Sequence, residues 1–300
     1  GTAIFVTVNA GCVLLGIAPY TMAMLVIATV IFAVGVYDDH EHINPWLRLT
    51  LQFGAGVALA TWGGIAITNV GNLLAMGDIP LLILTVPLTA LAVAGLSNAY
   101  NMIDGIDGLA ASLIVIPLAT LYALASPAGH ESADFLELLL IPMAVFLIFN
   151  LGPNNKFLPK IFLGDGGSVT LGFLVTASLV FFSQGERAII EPVTALWLVT
   201  VPLMDMLATM ARRLKHGHKL MEADRSHLHH TLMDMGLSAR QTLLIMVSYA
   251  AACAIIGIML ENIPAYLSLL TYFVLFGAHC LFVMWAAKHQ APTPANGRAL

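Results

Sequence analysis

The chain has little charge. Only 10% of its residues are Asp, Glu, Lys or Arg, against about 25% in an ordinary soluble domain. Hydrophobic residues make up 59% of the 300 positions, and apolar runs of about twenty residues, long enough to cross a bilayer as helices, recur along the whole length. The composition excludes a soluble globular protein. It predicts an all-α, polytopic integral membrane protein with the lipid bilayer as its surroundings and no nucleic-acid partner.

Cysteines and internal repeats are also scarce. Cys12, Cys253 and Cys280 stand singly in apolar runs, which excludes a disulfide framework or a zinc ribbon. No internal repeat of fixed period is evident, and this weighs against transporters built from inverted repeats. An ion- or proton-coupled transporter nevertheless stays the alternative interpretation, because intramembrane acidic residues often form relays.

The apolar runs predict about ten transmembrane helices within one membrane-embedded domain, residues 1–300. The chain begins with Gly1 rather than Met, so we interpret it as an N-terminally truncated protein with eleven helices in full. The tail 290–300, rich in Pro, Ala and small polar residues, is expected to be disordered and cytoplasmic. The predicted spans are 2–16, 20–37, 49–67, 81–98, 109–125, 135–151, 166–183, 193–210, 242–260 and 266–286.

Basic residues are concentrated on one side of this predicted topology. Alternate threading places the loops 38–48, 98–108, 152–165 and 211–241 on that side, together with the C-terminal tail. These segments contain eleven of the twelve Lys and Arg residues, and only Arg187 lies opposite. The positive-inside rule therefore predicts that these four loops are cytoplasmic.

The first two of four polar clusters are acidic. Asp38 and Asp39 directly follow a predicted helix, where a carboxylate opposes the helix dipole at a cost of about 0.3–1 kcal/mol. The stretch "NAYNMIDGIDGLAA" then places Asn101, Asp104 and Asp107 at intervals of three. On a regular helix, neighbouring members of this series would share a face.

The third and fourth clusters add a glycine turn and a group of histidines. "KIFLGDGGSVTLGF" sets Asp165 among glycines, whose backbone N–H groups would form an anion-binding turn with Ser168. "ADRSHLHHTL" contains Arg225 and the histidines His227, His229 and His230. Histidines beside an arginine suit anionic oxygens, although the spacing also leaves a zinc site open. Acids with carboxamides near Arg and His together suggest a divalent cation and a phosphorylated substrate.

Four motifs carry a resemblance to a known family: "YDD" at 37–39, "NMIDGIDGLA" at 101–110, "FLGDGGS" at 162–168 and "HLHH" at 227–230. In this order they resemble the polyprenyl-phosphate N-acetylhexosamine-1-phosphate transferases, glycosyltransferase family 4. The likeness is greatest to the bacterial branch that begins glycan synthesis with GlcNAc-1-phosphate. The peptidoglycan branch has a Lys shortly after its Asp pair, whereas "DDHEHI" has none.

The resemblance implies a reaction, a place and partners. Members transfer a sugar-1-phosphate from a UDP-N-acetylhexosamine to undecaprenyl phosphate, release UMP and use Mg²⁺ or Mn²⁺. This would be the first membrane step of a cell-surface polysaccharide such as lipopolysaccharide, at the cytoplasmic face of the bacterial inner membrane. The exact sugar, the polyprenyl length, a homodimer and a covalent intermediate are left open.

The resemblance also implies roles for individual residues. Asn101 and Asp165 would hold the metal, and Asp38, Asp39 and Asp104 would be catalytic. Asp205, near the end of its span, has no evident partner in the site. An intramembrane aspartyl protease is a weaker alternative, because its Gly-x-Gly-Asp motif would need Gly where the chain has Phe162. The residues expected to bind substrate are Asp107, Lys156, Arg225, His227, His229 and His230.

Overall fold

A computed structural model describes residues 1–41, 43–215, 217 and 227–289, with side chains as far as 286. In these ranges the regular structure is helical apart from an isolated bridge between Asn69 and Pro80. Two short 3₁₀ helices cover Leu82–Leu84 and Gly185–Arg187. The α-helices are α1 (Thr2–Leu14), α2 (Met22–Glu41), α3 (Pro45–Thr61), α4 (Thr85–Ile103), α5 (Leu109–Ala125), α6 (Ala133–Asn150), α7 (Gly164–Ser183), α8 (Pro192–Leu198), α9 (Thr200–Lys215), α10 (Leu228–Asp234), α11 (Ala239–Met259) and α12 (Ala265–His289).

Helix α7 lies at the centre of the bundle. Every residue from Gly166 to Ser183 is buried, as expected for a helix that is apolar on all sides. Its main neighbours are α2 and α4, and glycines allow both to come close. A Cβ on Gly35 of α2 would lie 2.4 Å from the Cα of Gly166, and one on Gly172 would lie 2.8 Å from the Cα of Ser97 in α4. These crossings fix where α2 and α4 end relative to the start of α7.

All ten predicted segments are helical, but ten spans are not confirmed. In the described part of the chain, six helices are long and apolar enough to cross a membrane, or seven if α8 and α9 form one span. Helices α1, α3 and α5 have 13, 17 and 17 residues, short of the roughly 20 that cross about 30 Å of hydrocarbon at 1.5 Å per residue. The protein is therefore a multi-pass membrane protein whose number of crossings stays a prediction.

The predicted span 193–210 is wrong as a single straight helix. It is broken at Val199 into α8 and α9, which meet at an angle of 80°. Pro202 explains the break, because proline has no N–H to donate to the carbonyl of Leu198 and its ring crowds that carbonyl. Similarly, α3 ends at Thr61 instead of continuing to 67, since Gly64 has a φ of +65°. The predicted disordered tail, 290–300, lies outside the described residues.

The two ends of the bundle carry different polar groups. At one end, called the site end below, α2 and α4 finish while α3 and α7 begin. At the opposite end, Gln184 accepts hydrogen bonds from the backbone N–H groups of Thr68 and Asn69, and Glu261 accepts one from that of Glu191. The predicted polar clusters gather at the site end.

Candidate active site

Asp39, the eighteenth residue of α2, caps the start of α7. Its Oδ1 accepts a hydrogen bond from the backbone N–H of Asp165 at 2.7 Å, and its Oδ2 accepts one from that of Gly166 at 3.3 Å. The positive end of the α7 dipole stabilises this carboxylate. The anion expected at the glycine turn is thus supplied by the protein itself. A catalytic role for Asp39 stays a prediction.

Arg48 joins Asp38 to Asp165. Asp38 is 4% exposed, and its two carboxylate oxygens accept from the backbone N–H of Ile43 at 2.7 Å and from Nη1 of Arg48 at 2.8 Å. The same arginine nitrogen lies 3.3 Å from Oδ2 of Asp165. From the sequence, Arg48 was predicted only as one of the basic residues of the loop 38–48. Its place in the same cluster as Asp38 was the signal that could have identified it.

The two residues expected to hold a metal are in contact. The amide nitrogen of Asn101 donates to Oδ1 of Asp165 at 2.9 Å and to Oγ of Ser168 at 3.0 Å. Ser168 is fully buried, whereas the Asp165 side chain is 43% exposed. Asn101 of α4 therefore holds the Asp165 side chain, which stays accessible from the site end.

Asp104 and Asp107 do not share a helix face, so that expectation is wrong. Helix α4 ends at Ile103, and Asp104 is its C-terminal cap. Turns then lead to Gly108, whose φ of +74° starts α5. Burial, together with the nearby carboxylates of Asp165 and Asp107, raises the pKa of Asp104 to about 6. Asp104 therefore lies in a partly dehydrated place close to the carboxylates of Asp165 and Asp107.

The loop between α6 and α7 places a lysine beside this group. Lys160 forms an ion pair with Asp107, and its ammonium lies 5.9 Å from the centre of the Phe162 ring. Lys156, the residue predicted to bind substrate, is exposed in the same loop. Its role stays a prediction, and Lys160 is the basic residue of this loop that contacts the predicted site.

The histidine cluster packs against the turn after α4. His227 caps α10, and His229 and His230 lie in its first turn. A Cβ on Gly105 would lie only 2.1 Å from Nε2 of His229, so the absence of a side chain at Gly105 lets this ring approach. The fourth cluster thereby meets the second. Arg225, predicted to bind substrate, lies outside the described residues.

Asp205 has partners in the site, so the expectation that it has none is wrong. Its Oδ2 lies 2.8 Å from Nδ1 of His227, and its Oδ1 accepts from the backbone N–H of Leu228 at 2.7 Å. All of these groups are buried. This contact joins α9 to α10 across 22 residues of sequence. No local pattern in the sequence indicates it.

The donor set fits a hard cation. In the described ranges, no three His, Cys, Asp or Glu side chains form a ready-made metal site. Mg²⁺, however, is commonly bound by one or two carboxylates together with substrate phosphates and water. Asp165, Asn101 and the nearby Asp104 are oxygen-bearing groups, and the carboxylates of Asp165 and Asp107 lie close enough to Asp104 to contribute, after burial, to its raised pKa. These residues therefore fit Mg²⁺ or Mn²⁺ that is shared with a phosphorylated substrate.

A long apolar groove adjoins the site end. Its volume is about 530 Å³, and α3, α4, α7 and the α8–α9 pair line it. Asn98 lies at one end of the groove, about one helical turn from Asn101 on α4, while Val70 and Gln184 lie at the other. The groove thus runs along the bundle from the polar cluster to the opposite end.

Comparison with known proteins identifies the family of the chain. The family model described as "Glycosyl transferase family 4" matches residues 21–183. The chain belongs to this family. It is 32% identical over 274 residues to the undecaprenyl-phosphate alpha-N-acetylglucosaminyl 1-phosphate transferase of Escherichia coli (strain K12), covering 89% of this chain and 74% of that protein. The enzyme of the same name from Salmonella typhi is 32% identical over 292 residues, covering 93% and 79%.

Membership of glycosyl transferase family 4 makes the protein a transferase. The match covers α2 to α7, the helices that carry Asp38, Asn101 and Asp165. The likeness to the bacterial enzymes also covers most of the chain. The transporter and protease alternatives are therefore set aside. The roles of individual residues are not decided by family membership.

Proposed function

We propose that the protein transfers GlcNAc-1-phosphate from UDP-GlcNAc to undecaprenyl phosphate and releases UMP. The observation that carries this proposal is the meeting of four sequence motifs at one end of the bundle. Asp39 and Asn101 both bond to the Asp165 segment, and His229 packs on Gly105. The activity named for the bacterial relatives supports the choice of both substrates.

The transfer requires one bond to form and one to break. An oxygen of the acceptor phosphate attacks the phosphorus that bears the sugar, the new P–O bond forms, and the bond to UMP breaks with its electron pair. A phosphate monoester has a second pKa near 6 and is mostly dianionic at pH 7, so a general base would add little. Placement and charge neutralisation are the larger contributions. A covalent aspartyl phosphate stays the alternative.

The residues of the site end divide this work. Asp38 is buried and holds Arg48, and Arg48 is in place to meet an anionic acceptor. Asn101 and Asp165 would hold Mg²⁺ or Mn²⁺, which when bound neutralises charge on the pyrophosphate. Asp104 lies beside them. The residues proposed to bind the sugar nucleotide are basic residues and histidines: Lys156, Lys160, Arg225, His227, His229 and His230.

The apolar groove would hold the polyprenyl tail. It opens toward Asn98 near the polar cluster and is lined by aliphatic and aromatic side chains such as Phe53 and Leu91. Removing apolar surface of this kind from water lowers the free energy, so binding of a hydrocarbon chain in the groove is favourable. With the site at the cytoplasmic face of the inner membrane, the UDP-sugar would enter from the cytoplasm and the lipid from the bilayer. The product would begin a cell-surface polysaccharide.

An assay with purified full-length protein tests the proposal. The protein in detergent is incubated with undecaprenyl phosphate and one of several UDP-sugars, including UDP-GlcNAc and UDP-GalNAc, and UMP and the lipid product are measured. We expect UMP only when the lipid acceptor and UDP-GlcNAc are both present. EDTA should stop the reaction, and Mg²⁺ or Mn²⁺ should restore it. UMP release without the acceptor, or with another sugar alone, would contradict the proposal.

A further inference from the structure

A buried carboxylate outside the four motifs contacts the histidine segment. Asp205 lies in α9 with 3% of its surface exposed, and both of its oxygens are engaged by the start of α10. One oxygen meets the ring of His227, and the other accepts from the N–H of Leu228. The second contact stops the carboxylate from turning away from the ring.

This geometry determines which nitrogen of His227 carries a proton. An ionised carboxylate accepts hydrogen bonds and donates none, so the Nδ1 that faces it must be protonated. Nε2 is then the ring nitrogen left for any other contact. A carboxylate that fixes the ring and tautomer of a functional histidine is a recurring arrangement in enzymes and metal sites.

We propose that Asp205 is a positioning residue for the transfer reaction. It fixes the orientation and tautomer of His227, so that Nε2 is the ring nitrogen that would meet the phosphates of the sugar nucleotide. The ring of His229 lies parallel to that of His227 at 6.0 Å and packs on Gly105. Holding His227 therefore also holds the histidine segment against the turn after α4. This inference rests on the function proposed above.

The substitution Asp205→Asn tests the role while keeping the side chain's shape. The amide oxygen can still accept from Leu228, which leaves the amide N–H facing Nδ1 and moves the ring proton to Nε2. We expect kcat/KM to fall by about 10- to 100-fold, the range seen when the hydrogen-bond partner of a metal-binding histidine is lost. The melting temperature should stay close to that of the wild type. Asp134→Asn, an exposed carboxylate in the first turn of α6, is the matched control and should leave kcat/KM unchanged.

A double-mutant cycle separates positioning from a purely structural role. If Asp205 acts through His227, Asp205→Asn should cost nothing further in a His227→Ala background. A loss of the same factor in both backgrounds would overturn the proposal. This comparison requires an active wild type.

A spectroscopic measurement decides the matter without activity. In protein labelled with ¹⁵N-histidine, the His227 signals are assigned by their absence from His227→Gln. We expect the wild type to show a protonated Nδ1 and Asp205→Asn to show a proton on Nε2 only. An unprotonated Nδ1 in the wild type would disprove the inference. Absence of transfer in the wild type would instead disprove the proposed function and leave the tautomer result standing.

Discussion

The two carboxylates that follow one another at the end of α2 have different partners. Asp39 bonds to the backbone N–H groups that begin α7, so the positive end of one helix offsets the unfavourable dipole of the other. Asp38 is turned inward and pairs with Arg48. A buried carboxylate left without its partner is strongly destabilising. Asp39 thus holds the backbone of Asp165 in place, and Asp38 holds the side chain of Arg48.

Asp165 is the residue whose charge should matter most. If it holds Mg²⁺, Asp165→Asn keeps the shape of the side chain but removes the anionic oxygen that a hard cation prefers. Loss of one interaction with transition-state charge typically lowers the rate by about 10²–10³, and loss of the metal should cost at least as much. UMP release by the purified full-length variant measures this.

The control for Asp165 must be a carboxylate outside the site. Asp205 does not qualify, because it bonds to His227. Asp134→Asn does, and it should retain full activity. The variant must also remain folded, since Asp165 accepts from Asn101 and Arg48. A loss of at least about 10²-fold is expected if Asp165 is a metal ligand. If Asp165→Asn keeps more than about a tenth of the wild-type activity at saturating Mg²⁺, the proposed metal role is wrong.

Gly105 should tolerate no side chain. In Gly105→Ala the new methyl group would lie 2.1 Å from Nε2 of His229, so the His229 ring must move away from the turn after α4. We expect at least a tenfold fall in kcat/KM, with overpacking that costs about 1–3 kcal/mol of stability. Gly54→Ala is the matched control, since a Cβ there meets nothing within 4 Å. Equal kinetics for the two variants would contradict this contact.

Sequence patterns found the residues that stand in motifs and missed those defined by distant contacts. Asn101 and Asp165 were predicted as a pair and are in contact. Asp205 was missed because its partner is 22 residues away, across a bend and a loop. Lys160 was passed over for Lys156, because composition shows that a loop is basic but not which side chain of that loop turns toward Asp107.

At the scale of helices, two close crossings assemble the site. Gly35 of α2 and Gly166 of α7 bring their backbones together, a use of small residues that is common between membrane helices. Asp39 lies one turn beyond Gly35, so this crossing sets the distance between Asp39 and the backbone of Asp165. Helix positions of this kind follow from packing and are not readable from hydropathy.

The crossing itself can be tested with Gly35→Ala. A methyl group there would meet the Cα of Gly166 at 2.4 Å, and backbone cannot move aside as a flexible side chain can. We expect a loss of about 1–3 kcal/mol in stability and reduced transfer, since α2 and α7 must separate. Thermal unfolding of the purified protein measures the first effect. Gly277→Ala on α12, with open space around its Cβ, should be neutral or slightly stabilising, and a similar result for Gly35→Ala would refute the role of this contact.

Hydropathy also does not predict where a helix bends or ends. All ten apolar runs form helix, because apolar runs of this length in a membrane must satisfy their own backbone hydrogen bonds. The run 193–210 is nevertheless bent by 80° near Pro202, and this bend directs α9 so that Asp205 reaches α10. Average hydrophobicity does not show where a backbone N–H is missing. The proline in the sequence does show it.

At the scale of the whole molecule, the asymmetry of charge and the asymmetry of structure coincide. Two loops with several Lys and Arg residues, 152–165 and 211–241, contribute Lys160 and the histidine segment to the site end, where Arg48 lies near the start of α3. At the opposite end, Glu191 and Glu261 are neighbours. The pKa of Glu191 is raised, mainly by burial and to a smaller extent by repulsion from Glu261 and Asp78. Because basic loops are retained on the cytoplasmic side, the site end should face the cytoplasm.

Cysteine labelling in intact cells tests this orientation. A cysteine-free parent is needed first, because Cys12 and Cys280 are partly exposed. Single cysteines are then placed at exposed positions, with Glu41→Cys and Pro153→Cys at the site end and Met76→Cys and Glu131→Cys at the opposite end. A membrane-impermeant maleimide added outside should label only the second pair, and permeabilising the membrane should expose the first. The basic residues make the reverse orientation unfavourable, since they would have to be moved across the bilayer. Labelling of Glu41→Cys or Pro153→Cys in intact cells would place the site on the outer face, where UDP-sugars made in the cytoplasm could not reach it, and the proposed function would fail with the topology.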